Sequence, residues 1–183
     1  MAWNNESQIE SRKYRCGYCG NIVATDKGFF DKDGKFLAYP CPHCNKLSFF
    51  DEPGNNQTPG VAPGNDVGYL PKELEAIYNE ARRCVSVNAF TAAVLACRKL
   101  LMHIAVEQKA EPGKAFIFYV EFLANNGYVP PNGKGWVDHI RKKGNEATHE
   151  IVLMSAEDAL ELISFSEMLL KFIYEFPARV PTK

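Results

Sequence analysis

The sequence predicts a mainly α protein, in which a small N-terminal β module precedes a larger antiparallel bundle of helices. Two cysteine pairs lie within the first 51 residues, a stretch rich in helix-breaking residues follows, and helical apolar periodicity runs from residue 70 onward. At 183 residues the chain has room for one small and one medium domain. We therefore expect a β module at 1–51, a flexible linker at 52–69 and a helical bundle at 70–183.

Composition and charge narrow the class of protein. Hydrophobic residues make up 46% and charged residues 23% of the chain, as in a globular protein that folds. The net charge of -1 provides no overall positive field, so any contact with nucleic acid must be local. Met1 to Arg15 lack the apolar run of a secretory signal, and the longest apolar stretch, Ala115 to Ala124, is too short to cross a bilayer. We expect a cytoplasmic protein with no membrane partner.

The first module carries two C-x2-C pairs separated by 21 residues. The pairs are Cys16 with Cys19 and Cys41 with Cys44. Each pair can form a tight turn that directs two thiolates at one ion, and two such turns complete a tetrahedral site. Without an export signal the thiols stay reduced, so metal binding is favoured over disulfides. The spacing predicts a structural Zn²⁺ site.

Short predicted strands surround these turns at 21–24, 35–39 and 47–50, and Asp33-Gly34 predicts a hairpin between the first two. This pattern is typical of a zinc ribbon. A redox dithiol would need one pair at a helix start in a βαβ unit, and a catalytic zinc would need an open position. His43 is expected to be a loop residue, and Cys84 and Cys97 are expected to be small core residues of helices.

Residues 52–69 mark a change in composition. Ten of these eighteen residues are proline, glycine or asparagine. Neither a helix nor a strand is expected at this density of breakers, so the segment is predicted to be a flexible linker between two domains.

Five helices are predicted beyond the linker, with short connections that indicate an antiparallel bundle. Their ranges are 71–87, 89–108, 115–125, 136–150 and 155–176. Ser155 and Asp158 resemble a capping box at the start of the last helix, and Pro177 is expected to stop it. Arg98, within the apolar pattern of the second helix, is expected to be a buried structural donor.

The fourth predicted helix carries the densest group of polar residues. Arg141, Asn145 and His149 follow one another at i, i+4 spacing and therefore share one strip. Arginine stabilises charge on a phosphoryl group, and histidine moves a proton near neutral pH. Such a set suffices for metal-independent RNA cleavage that uses the 2′-hydroxyl of the substrate. In the alternative interpretation, the same side chains bridge neighbouring helices.

The assembled chain resembles the prokaryotic domain-of-unknown-function family 4145. The resemblance rests on the cysteine pairs, Leu70-Pro71, the helix through Cys97-Arg98-Lys99, the Arg-x2-Gly-Asn-x3-His stretch at 141–149, and the closing Tyr-Glu-Phe-Pro at 174–177. That family looks like a branch of the HEPN helical bundles and is often found with restriction and defence proteins.

The resemblance implies a HEPN-like antiparallel helical bundle that binds or cleaves RNA as a homodimer. It assigns Arg141 to transition-state stabilisation, His149 to acid or base catalysis and Asn145 to phosphate orientation. Seven residues separate Arg141 from His149, whereas four to six are usual in HEPN proteins. The alternatives are a non-enzymatic scaffold or adaptor with a protein partner and, less favoured by the near-zero net charge, a DNA-binding accessory module.

Overall fold

The structure, a computed structural model, describes residues 4–51, 56–130, 133, 135–138, 140 and 153–181. The chain divides into two compact units, Met1–Ala62 and Pro63–Lys183.

The first unit is a five-stranded antiparallel sheet whose strands pair in chain order. The strands are β1 Ser7–Arg15, β2 Ile22–Phe30, β3 Phe36–Pro40, β4 Leu47–Asp51 and β5 Asn56–Thr58. The three predicted strands correspond to β2, β3 and β4. Strands β1 and β5 were not predicted. In β1, charged residues interrupt any apolar alternation.

The predicted hairpin connects β2 and β3. The backbone N–H of Gly34 donates to the carbonyl of Asp31 at 3.1 Å, and the N–H of Phe36 donates to the Asp31 carboxylate at 2.8 Å. The prediction of a turn at Asp33-Gly34 is thus confirmed, and this turn sets the pairing of Phe29 with Ala38.

The core of the first unit is small. Its buried members are Tyr14, Cys16, Tyr39, Cys41 and Phe50. The Phe50 ring packs edge-on against Tyr14 and Tyr39, with centroids 5.2 and 5.7 Å away. Two of the five buried residues are cysteines of the C-x2-C pairs, so a good part of this core belongs to the thiol cluster.

The second unit is helical. Its helices are α1 Lys72–Ser86, α2 Phe90–Glu107, α3 Phe116–Asn125, α4 Ala156–Leu170 and α5 Phe176–Arg179, and a π-helical turn, Lys171–Glu175, connects α4 to α5. Residues 135–138 and 140 are also helical, whereas the remainder of the predicted helix 136–150 lies outside the described residues.

Helix α2 lies at the centre of this unit and packs against α1, α3 and α4. The predicted apolar face of this helix is confirmed at four of its five positions, because Phe90 is half-buried whereas the other four residues are at most 2% exposed: Val94, Cys97, Leu101 and Ile104. The residues of that helix with no more than 2% exposure are Ala93, Val94, Cys97, Leu100, Leu101, Ile104 and Ala105. None of the helices in the described part of the chain is both long and apolar enough to span a membrane.

The start of α4 lies where the sequence predicted it, but the predicted end of the helix before Pro177 is not observed. The Ser155 hydroxyl accepts from the N–H of Asp158 at 3.1 Å, and the N–H of Ser155 donates to the Asp158 carboxylate at 2.9 Å, which confirms the capping box. The prediction that Pro177 stops the helix is wrong. Pro177 lies in the first turn of α5, where a residue without an N–H group is tolerated.

The segment predicted to be a linker contains ordered residues. The expectation of no strand there is wrong for Asn56–Thr58, which pairs with β4 as β5. In the second unit, Asn65 donates to Glu167 from its backbone N–H at 2.9 Å and from its side chain at 3.0 Å. The N–H of Gly68 donates to Glu175 at 2.9 Å. Individual hydrogen bonds order these residues, and such bonds leave no periodic signal in a sequence.

Candidate metal centre

The first C-x2-C pair lies in a tight turn between β1 and β2. The N–H of Cys16 donates to the carbonyl of Asn21 at 2.9 Å, and the N–H of Gly20 donates to the carbonyl of Cys16 at 2.9 Å. Gly20 has a φ of 71°, a left-handed conformation that glycine adopts without steric cost. The N–H of Tyr18 points at the Cys16 sulfur, 3.4 Å away. We call this turn, residues 16–21, the first knuckle.

The second pair repeats this geometry between β3 and β4. The N–H of Cys41 donates to the carbonyl of Lys46 at 2.9 Å, and the N–H of Asn45 donates to the carbonyl of Cys41 at 2.8 Å. Asn45 takes the position of Gly20 and has a φ of 59°, which asparagine tolerates better than most residues. This turn, residues 41–46, is the second knuckle. The two knuckles therefore present their thiols with matching backbone support.

The four cysteine sulfurs converge. Cys16 Sγ lies 3.7 Å from Cys44 Sγ, and Cys19 Sγ lies 3.8 Å from Cys41 Sγ. All four sulfurs lie within 4.8 Å of one another, and all are free thiols rather than disulfides. A tetrahedral ion with metal–sulfur bonds of about 2.3 Å places its sulfurs about 3.8 Å apart. The sulfur set therefore fits a tetrahedral, thiophilic metal ion.

The electrostatics of the cluster also favour a cation. Burial raises the pKa of Cys16 and raises that of Cys44 to about 12. Burial also opposes ionisation of Cys19, but hydrogen bonds from the backbone and side chain of Asn21 outweigh it and lower the pKa of Cys19 to about 6. Four thiolates at such short separations repel one another, and a divalent cation at their centre would offset that repulsion.

His43 does not compete for a place in this set. Its side chain is exposed, and its Nδ1 lies 3.1 Å from the amide nitrogen of Asn21, outside the four sulfurs. The prediction of a loop residue is confirmed. The hydrogen-bonding pair also connects the second knuckle to the first.

One contact of the cluster was missed in the sequence analysis. A Cβ atom on Gly17 would lie 2.2 Å from the carbonyl oxygen of Pro59 and 2.5 Å from that of Gly60. The chain after β5 therefore passes so close to the first knuckle that only glycine fits at position 17. The available signal was the presence of a glycine between two cysteines, but it does not reveal which distant segment approaches.

The structure describes some, but not all, of the other residues that the sequence singled out. Arg141, Asn145 and His149 lie outside the described residues. Cys97 is completely buried, as expected, whereas Cys84 is only half-buried. Arg98 is buried at 8% exposure, as predicted, but among the described residues its Nη1 atom has no hydrogen-bond partner, so the predicted role as a structural donor is not confirmed.

The architecture and the thiol cluster together define a protein with a four-cysteine β unit followed by a helical unit. Residues 79–183 match the family described as Domain of unknown function (DUF4145). Because this match spans more than half of the chain, the protein belongs to that family. A comparison with curated proteins and a comparison with solved structures found no match.

Proposed function

We propose that the protein is a zinc-ribbon protein whose HEPN-like helical unit binds and cleaves RNA without a catalytic metal. In this proposal Cys16, Cys19, Cys41 and Cys44 bind a structural Zn²⁺ ion. Four thiolates leave no open coordination position, so the ion supports the fold and takes no part in the reaction. The setting is prokaryotic defence or stress in the cytoplasm, and the active species is a homodimer.

One observation carries the ribonuclease part of this proposal. The Arg-x2-Gly-Asn-x3-His stretch, from Arg141 to His149, falls within the region that matches the family. At helical spacing it supplies a fixed positive charge, an amide and a group that titrates near neutrality. These three groups meet the needs of a phosphoryl transfer in which the nucleophile comes from the substrate.

The proposed reaction is an internal transesterification. The 2′-oxygen attacks phosphorus and gives up its proton to a base, the bond from phosphorus to the 5′-oxygen breaks, and the leaving oxygen receives a proton. His149 serves as the base or the acid, Arg141 stabilises the charge on the phosphoryl oxygens, and Asn145 orients the phosphate. No redox partner is needed. The products carry a 2′,3′-cyclic phosphate and a 5′-hydroxyl.

The test is incubation of zinc-loaded protein with mixed RNA in the absence of added divalent metal. We expect the wild type to produce fragments ending in 2′,3′-cyclic phosphate, and His149→Ala and Arg141→Ala to lower the rate by about 100-fold or more. His103→Ala is the matched control, because His103 is exposed and its partner is Glu107 on the same helix, 3.3 Å away. Light scattering on the same samples reports whether the protein is a dimer.

Two results would count against the ribonuclease. A folded, zinc-loaded wild type that leaves the RNA intact removes the catalytic part of the proposal. Cleavage that persists in both variants shows that a contaminant or another site is responsible.

A second candidate function, a protein-interaction scaffold, is favoured by a groove along α4, the π-helical turn and α5. The groove has a volume of about 350 Å³ and is lined by Ser164, Glu167, Met168, Lys171, Phe172 and Phe176. Phe172 and Phe176 remain 48% and 44% exposed, and their rings contact each other at 5.4 Å. Exposed aromatic pairs of this kind are common where proteins associate. A scaffold should lose its partner in Phe172→Ser and retain it in His149→Ala.

A further inference from the structure

A row of side chains spaced four residues apart runs along α4, the π-helical turn and α5. Leu160, Phe172 and Phe176 are 43%, 48% and 44% exposed, respectively. Met168 lies between them and is half-buried. Ser164 takes the remaining position, and its hydroxyl donates to the carbonyl of Leu160 at 2.9 Å, so its donor is satisfied within the helix. We call these five residues the apolar row, and a contiguous surface of this kind indicates a site of association.

The π-helical turn keeps the apolar row on one face. Four residues exceed one α-helical turn of 3.6 residues, so side chains at this spacing drift around a regular helix by about 40° per step. In the π-helical turn, Lys171–Glu175, each hydrogen bond closes a wider turn, which reverses this drift. Met168, Phe172 and Phe176 therefore line the same groove, and the two phenylalanine rings contact each other at 5.4 Å.

The apolar row is complementary to its own reverse. Met168 lies at its centre, and Leu160 and Phe176 lie eight residues away on either side. Ser164 and Phe172 lie four residues away on either side. If two copies packed antiparallel about a two-fold axis at Met168, the small Ser164 would face the large Phe172 of the second copy. Leu160 would face Phe176. Small side chains opposite large ones fill an interface well, and a two-fold axis repeats each contact.

The charges beyond the two ends of the row follow the same symmetry. Glu157 and Arg179 lie eleven residues on either side of Met168, and both are exposed. Arg179 pairs with Glu175 at 2.5 Å, but the arginine side chain is 63% exposed and that carboxylate side chain only 6%. The surface is therefore acidic at the first end and basic at the second. An antiparallel pair brings opposite charges together at both ends, whereas a parallel pair would bring like charges together.

We propose that the apolar row is the surface through which two copies of this chain associate, antiparallel and about a two-fold axis at Met168. The inference rests on the homodimer of the proposed function and names its interface. The apolar positions, side-chain sizes and end charges all complement their own reverse, and binding of an unrelated protein gives no reason for that symmetry. None of the residues involved belongs to the proposed catalytic set, so the interface can be tested separately from RNA cleavage.

The test is sedimentation equilibrium of folded, zinc-loaded full-length protein, and we expect the wild type to be a dimer. Phe172→Ser should weaken association about tenfold or more, because the two-fold axis removes the aromatic contact twice. Glu157→Arg should also weaken it about tenfold or more, because like charges then meet at both ends. The double variant Glu157→Arg with Arg179→Glu should restore the dimer. Phe36→Ser is the matched control, since Phe36 is a phenylalanine of the sheet unit that is 58% exposed, and it should associate like the wild type.

Cross-linking tests the position of the axis. A residue on a two-fold axis lies beside its own copy, so Met168→Cys should form an intermolecular disulfide when oxidised glutathione is added. Leu95→Cys is the control, because Leu95 is 53% exposed on α2 and lies outside the row. It should cross-link no more than the wild type. If the charge-reversed double variant does not fold, Phe172→Ser and the Met168→Cys cross-link decide the question.

Three outcomes would overturn the inference. A folded, zinc-loaded wild type that stays monomeric removes both this interface and the homodimer of the proposed function, and leaves the row to a different protein. A wild-type dimer that persists in Phe172→Ser and Glu157→Arg places the interface elsewhere and retains the homodimer. A folded double variant that stays as weak as Glu157→Arg rules out the antiparallel arrangement. A dimer that follows all the expectations but leaves RNA intact removes the ribonuclease and supports the interface.

Discussion

The two units of this protein bury very different amounts of apolar surface. Among the described residues of the sheet unit, the apolar core cluster has five buried members, two of which are metal-binding candidates, Cys16 and Cys41. The helical unit has a continuous core in which each large helix contributes completely buried residues. A small unit of the first kind seldom gains enough from burial to offset the conformational entropy of its chain. The difference between the units indicates that a metal ion bound by the four thiols would compensate for the small core of the sheet unit, whereas the described residues of the helical unit contain no comparable cluster of metal-binding side chains.

The largest effect on the difference between the two units is expected from the substitution of one cysteine of the thiol cluster. Cys41→Ser should unfold the sheet unit and leave the helices intact, because metal binding supplies roughly 10 kcal/mol or more of folding free energy in small zinc modules. Limited proteolysis should then cleave 1–62 and spare the helical unit. Metal content by mass spectrometry should fall from one zinc per chain to none.

Cys84→Ser is the control for this experiment, since Cys84 is a half-buried thiol of α1 outside the cluster. It should retain one zinc per chain. If the sheet of Cys41→Ser stayed folded without metal, burial of Tyr14, Tyr39 and Phe50 would suffice for stability, and the contrast between the two units would disappear.

The second effect tests the helical core. Leu101→Ala should lower the free energy of unfolding by about 2–5 kcal/mol, because it leaves a cavity at a completely buried position. Denaturant unfolding followed by the helical far-UV signal measures this loss. Leu95→Ala, on the same helix but 53% exposed, should cost much less. Zinc content should stay unchanged in both variants, and a loss of zinc in Leu101→Ala would contradict the independence of the two units.

Sequence alone predicted the parts of the molecule that follow a local or periodic rule. The cysteine spacing predicted which four thiols meet, and the periodicity from Val94 to Ile104 predicted the buried face of α2. Sequence alone did not predict β1, because only Tyr14 is buried in it and a strand with one buried position has no apolar alternation. It also failed at Pro177, since a proline at the end of one helix cannot be distinguished in sequence from a proline at the start of another.

The third effect compares two glycines of the first knuckle. Gly17→Ala places a Cβ atom against the backbone of Pro59. Because backbone atoms cannot move away as a flexible side chain would, this variant should lower the stability of the sheet unit by about 1–3 kcal/mol. In Gly20→Ala the new Cβ atom has no other atom within 4 Å. This variant should lose only about 1 kcal/mol of stability, because alanine adopts the left-handed backbone conformation less readily than glycine. Competition for zinc with a chromophoric chelator should rank the variants as wild type, Gly20→Ala and then Gly17→Ala. A reversed order would show that the close approach of Pro59 is not a constraint.

The smallest effect is a pH dependence of the helical unit. Burial acts to raise the pKa of Glu167, but hydrogen bonds from Lys171 and Asn65 outweigh it and hold the pKa below its ordinary value of 4.5. A carboxyl with a lowered pKa in the folded state stabilises the fold fully above 4.5, and this contribution is lost as the pH falls through the folded pKa. Glu167→Gln should therefore lower the free energy of unfolding by about 1 kcal/mol at pH 7 and by less at pH 3.

The measurement is denaturant unfolding followed by the helical far-UV signal, which does not report the loss of zinc from the sheet at acid pH. Glu80→Gln, an exposed carboxyl of α1, serves as the control and should change stability little at either pH. A Glu167→Gln cost that is the same at both pH values would show that the carboxylate charge is not what orders Asn65. In that case the ordered residues ahead of α1 depend on a hydrogen-bond geometry that the carboxyl group provides in either protonation state and the amide does not reproduce.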